Sequence, residues 1–185
     1  NLIIGPVFDK NQRLVSRFSR IRGIPMVSPL SPYGGVYLKN NPFYFMVKPS
    51  KEYQIRKTAE FIGDEFYDKH FIVMGMGSYD HLDEANLVGL VRDKFYSTGY
   101  YRNTDVNLFT EIDFEDVRYW GMKEILMQSN RENVVFIPSN NQPKISKAIN
   151  NLNTLADKYD ITLIGLENYQ KYSSIEAEYY HRLKL

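Results

Sequence analysis

The sequence contains no cysteine, which excludes disulfide bonds, thiolate zinc sites and a cysteine nucleophile. No apolar run approaches the roughly 18 residues that a membrane-spanning helix needs. A signal peptide and a starting methionine are also missing, so we expect that upstream sequence has been removed. The net charge of only +1 argues against a dedicated nucleic-acid binder.

The 185 residues are enough for one domain with a core or for two small lobes. Aromatic residues make up 15% of the chain, which suits a packed core or a surface that stacks on ligands. Charge is unevenly spread, because residues 1–50 carry seven basic side chains and a single acidic one. A basic partner surface would explain this imbalance, but we favour an uneven division of a larger protein.

The first thirty residues predict a strand, a helix and a second strand. The strand falls within residues 1–7, and Asp9 and Gln12 have the spacing of a capping box at the start of the helix. Gly23 is placed to cap the end of the helix, before a strand at 24–28. Two stripes lie side by side at helical spacing, one apolar and one that we expect to be solvated: Leu14, Phe18 and Ile21, and Arg13, Arg17 and Arg20.

The remainder of the chain alternates strands with helices. A proline- and glycine-rich loop over 28–35 cannot be helix; a strand at 43–47 follows it, and Ser50 caps the next helix. Further strands are predicted at 71–76, 106–112, 134–137 and 161–166. Helices are predicted from Asp83 to near Gly99, from Asp113 or Glu115 onward, and over 142–159, while 176–185 is ambiguous. This order predicts an α/β fold, a doubly wound open parallel sheet in three α/β/α layers with flavodoxin-like layering.

Signals for catalysis and for metal binding are weak. Gly75-Met-Gly77 follows an apolar strand, but Asp80 stands where a dinucleotide fingerprint has its third glycine, so we interpret it as a turn. The histidines His70, His81 and His181 are isolated from one another and from carboxylates at ligand spacing. We therefore expect no metal, no cofactor and no catalytic residue, and an enzyme of the doubly wound class is the least favoured hypothesis.

Five loops rich in hydroxyl, amide and aromatic groups follow the predicted strands. They cover residues 6–8, 28–31, 77–79, 139–141 and 167–169. Ligands of open α/β sheets bind at the carboxyl ends of the strands. Each loop alone is more often just a turn, but together they favour a binding cleft.

Several segments carry a likeness to a known family: IIGP, GIPMVSPLSP and NPFYFMVKPSKEYQ, followed by FIVMGMGSY, NVVFIPSN and ITLIGLENY. In this order they resemble the type I periplasmic binding proteins, typified by the branched-chain amino acid receptors of ABC transporters. They also resemble Bacteroidetes envelope proteins, in which such a module follows a peptidoglycan-binding LysM region. The resemblance implies a partial lobe one at 1–50 and a nearly complete lobe two at 51–185.

The resemblance also implies the ligand contacts. Lobe one would supply Phe8, Ser28, Leu30 and Ser31. Lobe two would supply Tyr79, Ser139, Asn140 and Glu167, the last as an acid that pairs with a substrate amine. The chain departs from the family after its first strand, where Val7-Phe8-Asp9 lacks the hydroxyl groups that hold an α-carboxylate.

Two non-catalytic functions follow. The first is a receptor that binds a small polar ligand, such as an amino acid, between two lobes. The alternative is a cell-envelope module, not involved in transport, that binds a peptidoglycan fragment or a protein partner. Either implies a periplasmic or envelope location and envelope or transporter proteins as partners. Neither implies nucleic acid or a membrane span. We also expect residues 1–50 to dock on lobe two or to exchange between chains as a homodimer.

Overall fold

The computed structural model describes residues 1–79, 82–97, 108–127 and 131–185. The chain divides into two compact units, unit 1 at residues 1–58 and unit 2 at residues 59–185. Each contains a parallel sheet with helices against it, which confirms the predicted α/β fold class. The division into a partial lobe one and a lobe two stays a prediction.

Unit 1 holds a three-stranded parallel sheet in the order β1-β2-β3. Its elements are β1 (Ile3–Ile4), α1 (Gln12–Arg22), β2 (Met26–Ser28), α2 (Gly35–Asn40), β3 (Tyr44–Met46) and the start of α3 (Lys51–Glu65). As predicted, Gly23 ends α1 with φ 62°, and the Ser50 hydroxyl accepts a hydrogen bond from the backbone N–H of Tyr53 at 3.2 Å.

Two local predictions in unit 1 are wrong. The capping box is absent: a 3-10 turn precedes α1, the N-cap Asn11 makes no side-chain bond, and Gln12 points into the unit. The loop predicted over 28–35 covers only 29–34, because β2 ends at Ser28 and α2 begins at Gly35. A helix can begin there because Pro32 lies before its first turn, where the missing N–H costs nothing.

The inside of unit 1 is polar. Three buried side chains of α1 face the sheet: Gln12, Ser16 and Ser19. The Asn41 amide donates to the Ser16 carbonyl at 2.9 Å and to the Ser19 hydroxyl at 3.3 Å. The apolar stripe of α1 is consequently on the opposite side of the helix, exposed to solvent.

Unit 2 holds a four-stranded parallel sheet in the order β5-β4-β6-β7. Its strands are β4 (His70–Gly75), β5 (Phe109–Asp113), β6 (Asn133–Phe136) and β7 (Ile161–Ile164). Its helices, after the end of α3, are α4 (Leu82–Ser97), α5 (Phe114–Met127), α6 (Gln142–Leu155) and α7 (Ala177–Arg182). The predicted helix end near Gly99 and strand start at Val106 lie outside the described residues, as do Asp80 and His81.

Both faces of the unit 2 sheet are covered. On one face the Phe71 ring packs against Phe95 of α4, with ring centroids 4.9 Å apart, and stacks on Phe109 at 5.9 Å. On the other face Ile72 and Met74 belong to an aliphatic core built largely from α5, α6 and the carboxyl-terminal segment. This double burial is why β4 reads as a continuous apolar run.

Candidate functional site

The loops after β1 and β2 are joined by one buried side chain, Gln12. Its amide group donates to the Ser28 hydroxyl at 2.8 Å and to the Pro6 carbonyl at 3.3 Å, and its oxygen accepts from the Tyr44 hydroxyl at 2.9 Å. Burial raises the pKa of Tyr44 above its ordinary value. Sequence reasoning missed this inward role because Gln12 also fits a capping box.

The four site residues predicted in unit 1 separate into two kinds. Ser28 is 0% exposed, and Ser31 is 2% exposed and accepts a hydrogen bond from the Tyr33 N–H at 3.2 Å. Phe8 and Leu30, in contrast, are 66% and 58% exposed. The hydroxyl groups thus support the loops, and the apolar side chains meet the solvent.

Phe8 and Leu30 belong to a larger apolar surface, which we call the strand-end surface. It consists of exposed side chains that follow β1, β2 and β3: Val7, Phe8, Leu30, Tyr33 and Val47. The Lys10 ammonium lies 6.0 Å from the Phe8 ring centroid, a distance typical of a cation–π contact. The strand-end surface is therefore apolar, with one cationic side chain beside it.

In unit 2, Asn140 links the loops at the carboxyl ends of the strands. Its amide donates to the Glu84 carboxylate at 2.5 Å, and its side-chain oxygen accepts from Asn168 at 3.2 Å. Ser139 is buried, and its hydroxyl accepts from the Asn141 N–H at 3.1 Å. Of the residues predicted here, Ser139 is thus buried, whereas Asn140 is partly exposed within a polar network.

Glu84 is a residue of this network that sequence reasoning missed. It lies in the first turn of α4, where acidic side chains usually face solvent and interact favourably with the helix dipole. Glu84 is instead buried. The pKa of Tyr79, a predicted site residue, is raised chiefly by partial burial and by Glu111, with a smaller contribution from Glu84. The sequence pattern of α4 does not distinguish this glutamate from a surface one.

The backbone polar groups of the Gly75-Met-Gly77 turn are hydrogen-bonded by side chains from other parts of unit 2. The Gly77 N–H donates to the Asp113 carboxylate at 2.8 Å, and the Lys144 ammonium donates to the Met76 carbonyl at 3.0 Å. Gly77 has φ +94°, a conformation that favours glycine. The turn interpretation therefore accounts for Gly77, whereas Gly75 is the last residue of β4.

A cavity of about 290 Å³ lies beside the end of β7, within unit 2. Its apolar walls include Leu163, Leu166 and Tyr180, and its polar groups include Glu167. The volume is at the lower end of the range for small-molecule sites. Glu167 is exposed, so its carboxylate is available to a cationic group.

Across the ranges that the structure describes, no group of three His, Cys, Asp or Glu side chains is arranged to hold a metal ion. Within the same ranges, every helix is too short or too polar to cross a bilayer.

In unit 1, Phe8, Leu30 and Gln12 lie at the carboxyl ends of the strands of the three-stranded sheet. In unit 2, Tyr79, Glu84 and Asn140 lie at the carboxyl ends of the strands of the four-stranded sheet. The predicted cleft that combines all eight site residues stays a prediction.

Comparison with known proteins gives a distant similarity of fold. No protein-family model and no curated protein matches the chain. The crystal structure of full-length LpoA from Haemophilus influenzae matches 88% of this chain at 11% identity, with a TM-score of 0.41. The matched region is 27% of the LpoA chain, so this sequence spans about a quarter of that relative.

Proposed function

We propose that this chain is a non-catalytic binding module of the cell envelope, and that the strand-end surface of unit 1 binds a protein partner. The observation that carries the proposal is that the polar side chains near its strand ends are buried while the apolar ones are exposed. Ser28 and Ser31 are buried and hydrogen-bonded within unit 1. Phe8 and Leu30, which also follow the carboxyl ends of strands, are exposed. A pocket for a small polar ligand needs the reverse arrangement, with hydroxyl groups facing the ligand.

The composition of the strand-end surface supports a protein as the ligand. Its aromatic and aliphatic side chains follow three neighbouring parallel strands, and aromatic anchors dominate the binding energy of protein interfaces. The buried Gln12 network holds two of these loops in place, so little ordering entropy is lost on binding. A small solute would leave most of this surface in contact with water.

Photo-crosslinking from single positions tests the proposal. A photoreactive phenylalanine analogue placed at Phe8 or at Leu30 is expected to yield one crosslinked product of defined mass in cells that make the protein. Leu82, an exposed leucine of unit 2, is the matched control position. Equal products from Leu82, or none from Phe8 and Leu30, would contradict the proposal.

A second candidate function is binding of a small amine-bearing solute in the cavity beside Glu167. The exposed carboxylate next to apolar walls favours a ligand that combines an ammonium group with an apolar portion, such as an amino acid. Glu167→Gln keeps the shape of the side chain and removes its charge. We expect this variant to weaken binding about tenfold or more, since hydrogen bonds to charged groups contribute about 1.5–3 kcal/mol.

A thermal-shift screen against amino acids measures this binding directly. The control is Gln170→Glu, which adds a carboxylate to the same cavity and should retain the response. The absence of any stabilising amino acid, or a response that Glu167→Gln leaves intact, would eliminate this second candidate.

A further inference from the structure

Helix α1 is held with its polar side inward and its apolar side outward. The hydrogen bonds of Gln12 to Ser28 and of Asn41 to Ser16 fix this orientation. The side chains left outside are Leu14, Phe18 and Ile21, which are 74%, 50% and 69% exposed. We call this row the α1 ridge.

Arginines flank the α1 ridge on both sides. With 100° between successive residues, Arg13, Arg17 and Arg20 lie along one side of the ridge, and Arg22 lies on the other. All four are exposed, and none has a carboxylate partner within the part of the chain that the structure describes. The helix contains no acidic residue, so nothing on α1 neutralises them.

We propose that the α1 ridge docks on an anionic lipid surface. Leu14, Phe18 and Ile21 would enter the boundary between headgroups and acyl chains, while the flanking guanidinium groups bind lipid phosphates. A ridge of apolar residues edged with arginine is the pattern of helices that lie in a membrane interface. The arginine stems are long enough to keep their charged ends at headgroup level while the ridge is inserted.

Charge complementarity on both flanks favours lipid over a protein partner. A bilayer surface presents anions on each side of an inserted helix and adapts to a convex row of side chains. A protein would need a groove with acidic residues along both rims. The ridge between Leu14 and Ile21 is about 10 Å long, so this is a peripheral attachment and not a membrane span.

Vesicle flotation with the full 185-residue chain tests the proposal. The chain is expected to float with vesicles of phosphatidylcholine and phosphatidylglycerol in about equal parts, and not with phosphatidylcholine alone. Raising NaCl from about 0.1 to about 0.5 M should weaken the binding, because the Debye length shortens. The Leu14→Ser/Phe18→Ser/Ile21→Ser variant should bind about 100-fold more weakly. Each arginine changed to glutamine should cost about fivefold.

The control is Phe45→Ser, which removes an exposed apolar residue from β3 of unit 1 and leaves α1 unchanged. All of the substituted side chains are exposed, and circular dichroism verifies that the variants fold. Equal binding to both kinds of vesicle, no flotation at all, or an unaffected ridge variant would overturn the proposal. Saturable binding to an acidic amphipathic peptide without vesicle binding would overturn it as well, in favour of a protein partner.

Discussion

His70 shows how a single residue makes the stability of unit 2 depend on pH. It is buried in β4, where its ring lies 2.8 Å from the Asn133 amide oxygen and 3.2 Å from the Thr110 hydroxyl. Burial lowers its pKa below the ordinary value of 6.5, and the hydrogen bond with Asn133 opposes that shift. At a pH between the lowered folded-state pKa and the ordinary value, this histidine is therefore neutral in the folded protein and protonated in the unfolded chain.

We expect the free energy of unfolding to fall as the pH drops below about 6.5, because the unfolded state then binds the extra proton. The slope from this residue is at most about 1.4 kcal/mol per pH unit. His70→Gln should flatten the profile between about pH 7 and pH 5.5, whatever its own stability. Urea unfolding at several pH values measures both slopes, and identical slopes would contradict this assignment.

Tyr169 is a second residue with an energetic role. Its hydroxyl donates to the carbonyls of Ile137 at 2.7 Å and of Ser139 at 3.2 Å, and the residue is buried. A Cβ added at Gly165 would lie 2.3 Å from the Tyr169 ring, so only glycine fits beneath it. The Tyr169 side chain thus holds the loop after β6 against the loop after β7.

Tyr169→Phe should destabilise unit 2 by about 1–2 kcal/mol, since it removes a buried hydroxyl donor from the Ser139 carbonyl and leaves the Ile137 carbonyl with the Ser139 N–H alone. Tyr33→Phe changes an exposed tyrosine and is expected to have an effect within about 0.5 kcal/mol. Chemical denaturation compares the two variants. Equal midpoints for both would show that the Tyr169 hydroxyl contributes nothing.

The residue scale is also where prediction from sequence fails most. The sequence could place Phe8, Leu30 and Ser31 in strand-end loops, because Gly, Pro and Ser mark those loops clearly. Ser28, predicted in the same loop, is the last residue of β2. Which side chains point inward depends on partners distant in sequence, such as Gln12 for Ser28. No local pattern carries that information.

At the scale of elements, β4 could be predicted because it is apolar on both faces, whereas β5 followed from the alternation of its side chains. Helices α4, α5 and α6 followed from their periodicity and from polar residues at their starts. The sequence pattern predicts the position of helix α1 and does not indicate which of its sides faces the sheet. Helical periodicity identifies a stripe but not its neighbour, and here hydrogen bonds from Asn41 and Gln12 decide the orientation.

The carboxyl-terminal segment, ambiguous in sequence, forms α7 and packs on the core of unit 2. Leu183 is fully buried, and its carbonyl accepts a hydrogen bond from the Leu163 N–H of edge strand β7 at 2.8 Å. The Lys184 ammonium adds a contact to Asp160 at 2.6 Å, which raises the Lys184 pKa. The segment thereby covers part of an otherwise open sheet edge.

Leu183→Ala should cost about 2–4 kcal/mol of unfolding free energy, because it removes buried methyl groups and leaves a cavity. Leu82→Ala, an exposed position in the first turn of α4, is the matched control and should change stability little. Guanidinium denaturation reports both effects. A loss below about 1 kcal/mol for Leu183→Ala would mean that the segment is not part of the core.

At the scale of the whole molecule, the two units differ in what they bury. Unit 2 has an extensive apolar core, whereas unit 1 combines a polar interior with exposed apolar side chains on its strand ends and on α1. Exposed apolar patches of this kind mark interaction sites in folded proteins. Unit 1 is therefore where the proposed protein partner and the proposed lipid surface would bind.

The most direct test of the central claim, that the strand-end surface binds a protein, uses the absence of cysteine from the chain. Single-cysteine variants Leu30→Cys and Leu82→Cys can be labelled with a maleimide, in isolated protein and in intact cells that make it. We predict fast labelling at both positions in isolation, and at least tenfold protection of position 30 alone in cells. Equal labelling rates at position 30 in both settings would contradict the account.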